Sequence, residues 1–277
     1  MGKSYIRRLI DACAAAFQLL TRIPVPYQPR YNEEVHRRSV VFYPLVGMVI
    51  GAVLMILYDG LPLLLPAEAS AVLLLIVWIM LTGGLHLDGW MDTADGLLSH
   101  CSRERKLEIM KDSRVGAMGV IACVCYLLLK AALLHALIKE SVVRLLPLWI
   151  IPIWSRFLMT AAIAWWPYAR GEQGGMGALV QQAGNRHVLP ALFTAVASSY
   201  LLWTLTLFIA DVGLPLNQFT MFLIGAIVLT FTLGLGAAYV IGRKLGGQTG
   251  DTYGALNEWM ELILLLAAVV AAVHVPI

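Results

Sequence analysis

Charge is what this chain has least of. Only 13% of its 277 residues are Asp, Glu, Lys or Arg, about half the fraction of an average soluble domain, while 60% are hydrophobic and the mean hydropathy is +0.78. Such a chain is built for a solvent other than water. Cysteine is also scarce, and Cys13, Cys101, Cys123 and Cys125 form neither a CxxC pair nor a His-flanked zinc spacing. They read as small apolar residues. The N-terminus has no signal-peptide cleavage pattern. The net charge of +3 is not gathered into a basic patch, so nucleic acid is not an expected partner. The ten-residue alternation of an outer-membrane barrel is missing as well.

What the chain does have is a series of apolar runs near the ~20 residues that cross a ~30 Å hydrocarbon layer. The fold expected is all-α, a polytopic helical membrane protein with about seven transmembrane helices, near 40–58, 68–84, 115–138, 145–166, 188–210, 218–241 and 260–276. Residues 1–22 precede them. There Ile6, Leu9, Ile10, Cys13, Phe17 and Leu20 recur at helical spacing, which predicts an amphipathic helix on the membrane surface; a short tilted span is the alternative. With a cytoplasmic N-terminus, the segments 1–39, 85–114, 167–187 and 242–259 face the cytoplasm and hold 16 of the 20 lysines and arginines. Lys139 and Arg144 fall on the other side, and Lys130 and Arg156 inside spans. This is the asymmetry of the positive-inside rule. It predicts a multi-pass inner-membrane protein, with 1–277 a single catalytic domain and its active-site segments, 83–119 and 242–261, on the cytoplasmic side.

Against that background "GGLHLDGWMDTADG", residues 83–96, stands out. Asp88, Asp92 and Asp95 are related as i, i+4 and i+7 and share one helix face. Three close carboxylates repel one another unless a cation sits among them. Oxygen ligands suit Mg²⁺, which is usually held by one or two carboxylates together with substrate phosphates and water. Gly83, Gly84, Gly89 and Gly96 leave room for a bulky ligand or a neighbouring helix. "GGQTGDTYGALNEWME" repeats the spacing: Gly246-Gly247 precede Asp251 as Gly83-Gly84 precede Asp88, and Glu258 follows as Asp95 does. The two units are expected to converge on one site. Arg114, in "KDSRVGAMG", and Arg243 and Lys244, before the second glycine pair, are candidate phosphate ligands; as helix-end residues they equally suit anionic lipid. Asp112 is a further candidate metal ligand. His86 either takes a proton from an attacking hydroxyl or orients Asp88 and the substrate. Arg156, in the middle of a span, needs an acid or a polar cavity.

"GGLHLDGWMDTADG" followed by "RERKLEIMKDSRVGAMGV" resembles the signature of the cobalamin synthase family, and "LLTRIPVP", "FYPLVGMVIG" and "KLGGQTGDTYGALNE" resemble other stretches of the same family. The resemblance covers nearly the whole chain, with residues 120–240 contributing mainly hydrophobicity. It implies a Mg²⁺-dependent membrane transferase that joins adenosylcobinamide-GDP to α-ribazole or its 5′-phosphate and releases GMP, the step that completes the nucleotide loop of cobalamin. Phosphoryl transfer of that kind is alignment and charge neutralisation. The assignment that follows gives metal binding to Asp88, Asp92, Asp95, Asp251 and Glu258. Catalytic roles go to Asp92, Asp95, His86 and Arg114, and substrate contacts to Gly83, Gly84, Arg243, Lys244, Gly246 and Gly247. The other partner expected is the lipid bilayer, and a homo-oligomer is compatible with the sequence.

Two rivals compete. "DTADG" matches the opening of the CDP-alcohol phosphotransferase pattern, but the Ala-Arg pair and the second acidic half of that pattern do not follow. A carboxylate-lined ion transporter would need acids on both sides, and the outer side has only Asp59, Glu68, Glu140 and Asp211.

Overall fold

The computed structural model describes residues 2–139, 148–171, 176–181, 183–210 and 215–274; Glu140, Arg144 and Asp211 lie outside them. The described residues form α-helices joined by turns, 3₁₀ segments, one π-helical turn and, between the first two helices, the irregular segment 21–32. In chain order these are α1 (Gly2–Leu20), α2 (Glu33–Ser39), α3 (Tyr43–Gly60), α4 (Ala67–Thr82), α5 (Leu85–Leu98) and α6 (Arg103–Ile109), then α7 (Ala117–Lys139), α8 (Ile151–Trp165), α9 (Asn185–Ala210), α10 (Leu216–Leu229), α11 (Leu235–Leu245) and α12 (Gly250–His274). Among the described residues, six helical stretches are long and apolar enough to cross a membrane, and α4 with α5 makes a seventh if that pair, bent by 90°, is counted as one. The chain is therefore an all-helical, multi-pass membrane protein.

The centre of the bundle is α8, buried at every position from Ile151 to Ile163. It packs against α3, α9 and α12. The α3 contact is a small-residue seam: a Cβ on Gly47 would collide with the carbonyl of Pro152, and one on Gly51 with the carbonyl of Trp149. Two glycines four residues apart let the backbones touch, a common way of packing helices where lipid removes the hydrophobic drive. The π-helical turn Thr230–Gly234 joins α10 to α11 in one long helix.

Both glycine pairs are helix stops. Gly83 ends α4 in the left-handed region at φ 63°, with Gly83 N–H donating to the Met80 carbonyl and Gly84 N–H to that of Ile79. Gly246 ends α11 at φ 71°, and Gly247 N–H donates to the Gly242 carbonyl. These are Schellman-type closures, which need a residue free to take positive φ. Each is followed at once by a helix carrying an aspartate in its first turn, Asp88 in α5 and Asp251 in α12. The second of these helices begins at Gly250, ten residues before the span expected from hydropathy. Thr249 and Thr252 cap it reciprocally, each backbone N–H donating to the other's hydroxyl at 2.8 and 3.2 Å. Hydropathy missed this turn and the two that follow because Asp251, Asn257, Glu258 and Glu261 lower the average, although the last three are buried.

α1 is helical as expected, but its inward face differs. Ala12, Ala15, Ala16, Leu20 and Asp11 are buried, Asp11 accepting from the Tyr27 hydroxyl at 2.6 Å, whereas Ile6 and Ile10 are exposed. The apolar stripe is thus shared between the protein and the outside. All four cysteines are free.

Replacing Gly51 by leucine inserts a side chain where the α3 backbone meets that of Trp149, in the 3₁₀ turn that leads into α8. It is expected to cost about 1–3 kcal/mol or more, seen as a lower melting temperature in detergent, while Gly60→Leu, a position with nothing near its Cβ, leaves melting unchanged.

Candidate active site

α5 is a single helix over all three aspartates. Its buried face is His86, Gly89, Thr93 and Gly96, a three- and four-residue spacing that leaves Asp88, Asp92 and Asp95 on the flank. Gly89 is where α5 meets α12: a Cβ there would stand 2.5 Å from the Asp251 carbonyl oxygen. Across the same contact a Cβ on Gly254 would lie 3.1 Å from the His86 Cα. The glycines therefore admit the neighbouring helix. This contact brings Asp88 and Asp251 onto one cavity of about 110 Å³, whose wall also includes His86, Tyr168 and Arg170. Asp92 is half-buried and has Asp88, Asp251 and Asp95 as its charged neighbours, opposed by Arg170.

Arg170 is the cation of this cluster. Its Nη2 donates to Asp251 Oδ2 at 2.5 Å and to the Met110 carbonyl at 3.2 Å. The segment that carries it is pinned to the second glycine pair by Ala169 N–H to the Gln248 carbonyl, 2.7 Å, and Gln248 N–H to the Pro167 carbonyl, 2.8 Å. In the sequence Arg170 is one of two basic residues of the loop 167–187 and no more than that. Its position after the span, in "WWPYAR", was the available signal.

The remaining expected residues are distributed differently. Asp95 accepts Gly116 N–H at 2.8 Å and Gly119 N–H at 2.7 Å, so a carboxylate on α5 caps the start of α7 and meets its unpaired amides. Arg114 is 87% exposed and is engaged by Asp112 through Nε at 3.0 Å and Nη2 at 2.7 Å. Those hydrogen bonds hold the Asp112 carboxyl down at about 2. Arg114 shares a surface depression with Asp95, not the cavity of Asp88. Arg243 and Lys244 are exposed on the last turn of α11. The space over the glycines is filled by the protein itself: the Arg22 side chain lies over Gly83, the Arg103 guanidinium over Gly246 and the Pro167 carbonyl against Gly247, while Gly84 alone of the two pairs is open. Arg22 and Arg103 were not singled out in the sequence, because a glycine pair does not announce which side chain covers it.

Glu258 is not with the aspartates. It is buried, bonded to the Tyr126 hydroxyl and 3.4 Å from Lys130 Nζ. Lys130 also reaches Glu261 at 2.6 Å and sits 4.0 Å from the Trp78 ring centre. Arg156 pairs with the other oxygen of Glu261 and reaches Ser155 Oγ at 3.0 Å. Two cations and two acids from α7, α8 and α12 thus neutralise one another inside the bundle, which answers what Arg156 is for. The repeat of the two Gly-Gly units holds through the first aspartate and fails at the seventh residue after it: Asp95 caps a helix and Glu258 enters an ion network.

Among the described residues no three His, Cys, Asp or Glu side chains converge closely enough to cage a metal by themselves. Asp88 and Asp251 line one cavity and Asp92 neighbours both, a donor set of the kind Mg²⁺ uses when it takes one or two carboxylates and completes its shell with phosphate oxygens and water.

The family described as cobalamin-5-phosphate synthase matches residues 12–269. Similar proteins include adenosylcobinamide-GDP ribazoletransferases of Desulforamulus reducens, 41% identical over 93% of this chain and 97% of the relative, and of Brevibacillus brevis, 36% identical over 94% and 98%. That of Trichormus variabilis is 37% identical over 94% and 97%. No solved structure matches.

Lys130→Met should leave two buried acids facing one arginine and cost about 3–5 kcal/mol. Adding Glu258→Gln should restore part of the melting temperature, and a double-mutant cycle measures the coupling.

Proposed function

Because the chain belongs to the cobalamin-5-phosphate synthase family, we propose that its acid-lined cavity is the active site of an adenosylcobinamide-GDP ribazoletransferase. The protein is a transferase of the nucleotide-loop step of cobalamin assembly. A ribose hydroxyl of α-ribazole, or of its 5′-phosphate, attacks the cobinamide-side phosphorus of adenosylcobinamide-GDP. A new P–O bond forms, the bridging P–O bond breaks, and GMP leaves with the bridging oxygen.

The observation that carries this reading is the meeting of Asp88 and Asp251, from two like Gly-Gly-Asp units, on one cavity that Arg170 also lines. Asp88, Asp92 and Asp251 are the residues that would hold Mg²⁺; bound there, it supplies charge neutralisation at the diphosphate. Arg170, already fixed by Asp251, offers its remaining N–H donors to a phosphate oxygen. Asp95 acts one step back, joining α5 to α7 so that the acid face keeps its place. The hydroxyl proton goes to a carboxylate of the cluster or to His86. Arg22 and Arg103, whose side chains lie over Gly83 and Gly246, are further cations near the glycine pairs that can meet the nucleotide.

The site faces the cytoplasm in the orientation that the Lys/Arg asymmetry favours, the whole chain acts as one catalytic unit, and the membrane is the cytoplasmic one. The exposed Ile6 and Ile10 of α1 then rest in the lipid interface.

Purified protein in detergent, given adenosylcobinamide-GDP, α-ribazole and Mg²⁺, is expected to release GMP with a corrinoid product and to stop on addition of EDTA. Asp92→Asn should lower turnover by roughly 10²-fold or more without loss of membrane insertion. Turnover near wild type in that variant would overturn the role of the cluster, and product formed from a CDP-linked lipid donor instead would overturn the substrate.

A further inference from the structure

His86 is 1% exposed and stands between the acid cavity, which it helps to line, and the buried ion network. Its Nδ1 faces Asn257 Nδ2 at 3.3 Å and Arg156 Nη2 at 3.5 Å. A guanidinium has donors and no acceptor. The Asn257 amide is oriented by Glu261, to whose Oε1 its Nδ2 donates at 3.1 Å, and Glu261 is held between Lys130 and Arg156. Both neighbours of Nδ1 are therefore donors, and Nδ1 must accept. In a neutral imidazole the single proton then belongs to Nε2. Nε2 is buried and has no hydrogen-bond partner among the described residues. Buried N–H groups almost always have one.

We infer that His86 Nε2–H is a hydrogen-bond donor kept for a phosphoryl oxygen of the nucleotide-diphosphate substrate, with Asn257 and Arg156 as the residues that set its tautomer. The inference rests on the reading of the cavity as the site of phosphoryl transfer. It removes one of the two alternatives left there: a ring nitrogen that already bears its proton does not take another from the attacking hydroxyl, so a carboxylate of the cluster does. It also gives the buried network a purpose at the site. Lys130 and Arg156 fix Glu261, Glu261 fixes the Asn257 amide, and the amide fixes the direction in which the imidazole donates.

Glutamine separates the two roles, because its amide donates from a place near Nε2 but does not act as a base. His86→Gln is expected to keep kcat within about tenfold of wild type, whereas His86→Leu loses about 10²-fold or more, the loss seen when one donor to a reacting oxygen is removed. Asn257→Asp places an acceptor opposite Nδ1, moves the proton there and should cost as much as His86→Leu. A loss of 10²-fold or more in a His86→Gln protein that inserts and melts like wild type overturns the donor role, and this arm decides alone if the leucine variant does not fold. Binding of inorganic pyrophosphate with Mg²⁺ gives a readout independent of turnover. Wild type and His86→Gln should bind alike and His86→Leu at least tenfold more weakly, and equal binding by all three also overturns the inference. Absence of GMP release from wild type itself would sink the proposed reaction instead, leaving the pyrophosphate comparison to judge His86.

Discussion

Where Gly89 faces the carbonyl of Asp251 and Gly254 faces His86, the backbones of α5 and α12 touch with no side chain between them. The site depends on this contact. It sets Asp88 beside Asp251, places His86 within reach of Asn257, and closes the cavity on one side. A methyl group at Gly89 would stand 2.5 Å from the Asp251 carbonyl oxygen, too close for the two backbones to keep this approach. Lipid offers little drive for helix association, so close backbone approach and polar contacts must supply it. The same logic recurs at Gly47 and Gly51 against α8 and the turn that leads into it.

The second support is electrical. Lys130, Arg156, Glu258 and Glu261 lie among helices that are otherwise apolar. Such groups are expensive in a membrane protein unless they pair. Here they pair with one another, and α8, buried from Ile151 to Ile163, gives Arg156 no lipid to face. A buried ion network is weak evidence for stability, since well-packed apolar residues often do better. Its value lies in direction: each member constrains the next, and the chain of constraints ends at the imidazole on the cavity wall. Asp95 does comparable work on the other side of α5, where it holds the start of α7.

Much of this was legible in the sequence. The spans emerged from the apolar runs, and the helix through Asp88, Asp92 and Asp95 from their spacing. In the sequence the glycine pairs read as room for a ligand or a neighbouring helix, but three of the four are covered by the protein's own atoms. Their real work is the left-handed turn that ends α4 and α11. Glu258 was read as a metal ligand because it repeats the position of Asp95. Spacing along a helix reports its angular position and says nothing of which neighbour that face meets. Arg170 was overlooked for the same reason, being a lone cation in a loop until Asp251 is placed opposite it.

Local rules therefore settle what is local. Period, charge and glycine fix where helices run, where they stop and which side chains share a face, because these follow from the dihedral and hydrogen-bonding chemistry of a few adjacent residues. Which acids become a site and which become structure was decided only when α5, α7, α8 and α12 packed. Coulomb interactions and hydrogen bonds act over a few ångströms of space, and residues far apart in the chain enter that range only through the fold. Asp88 and Asp251 meet across a cavity for that reason, while Asp95 and Glu258, each seven residues further on and equivalent to one another in spacing, were taken up by a helix cap and an ion network.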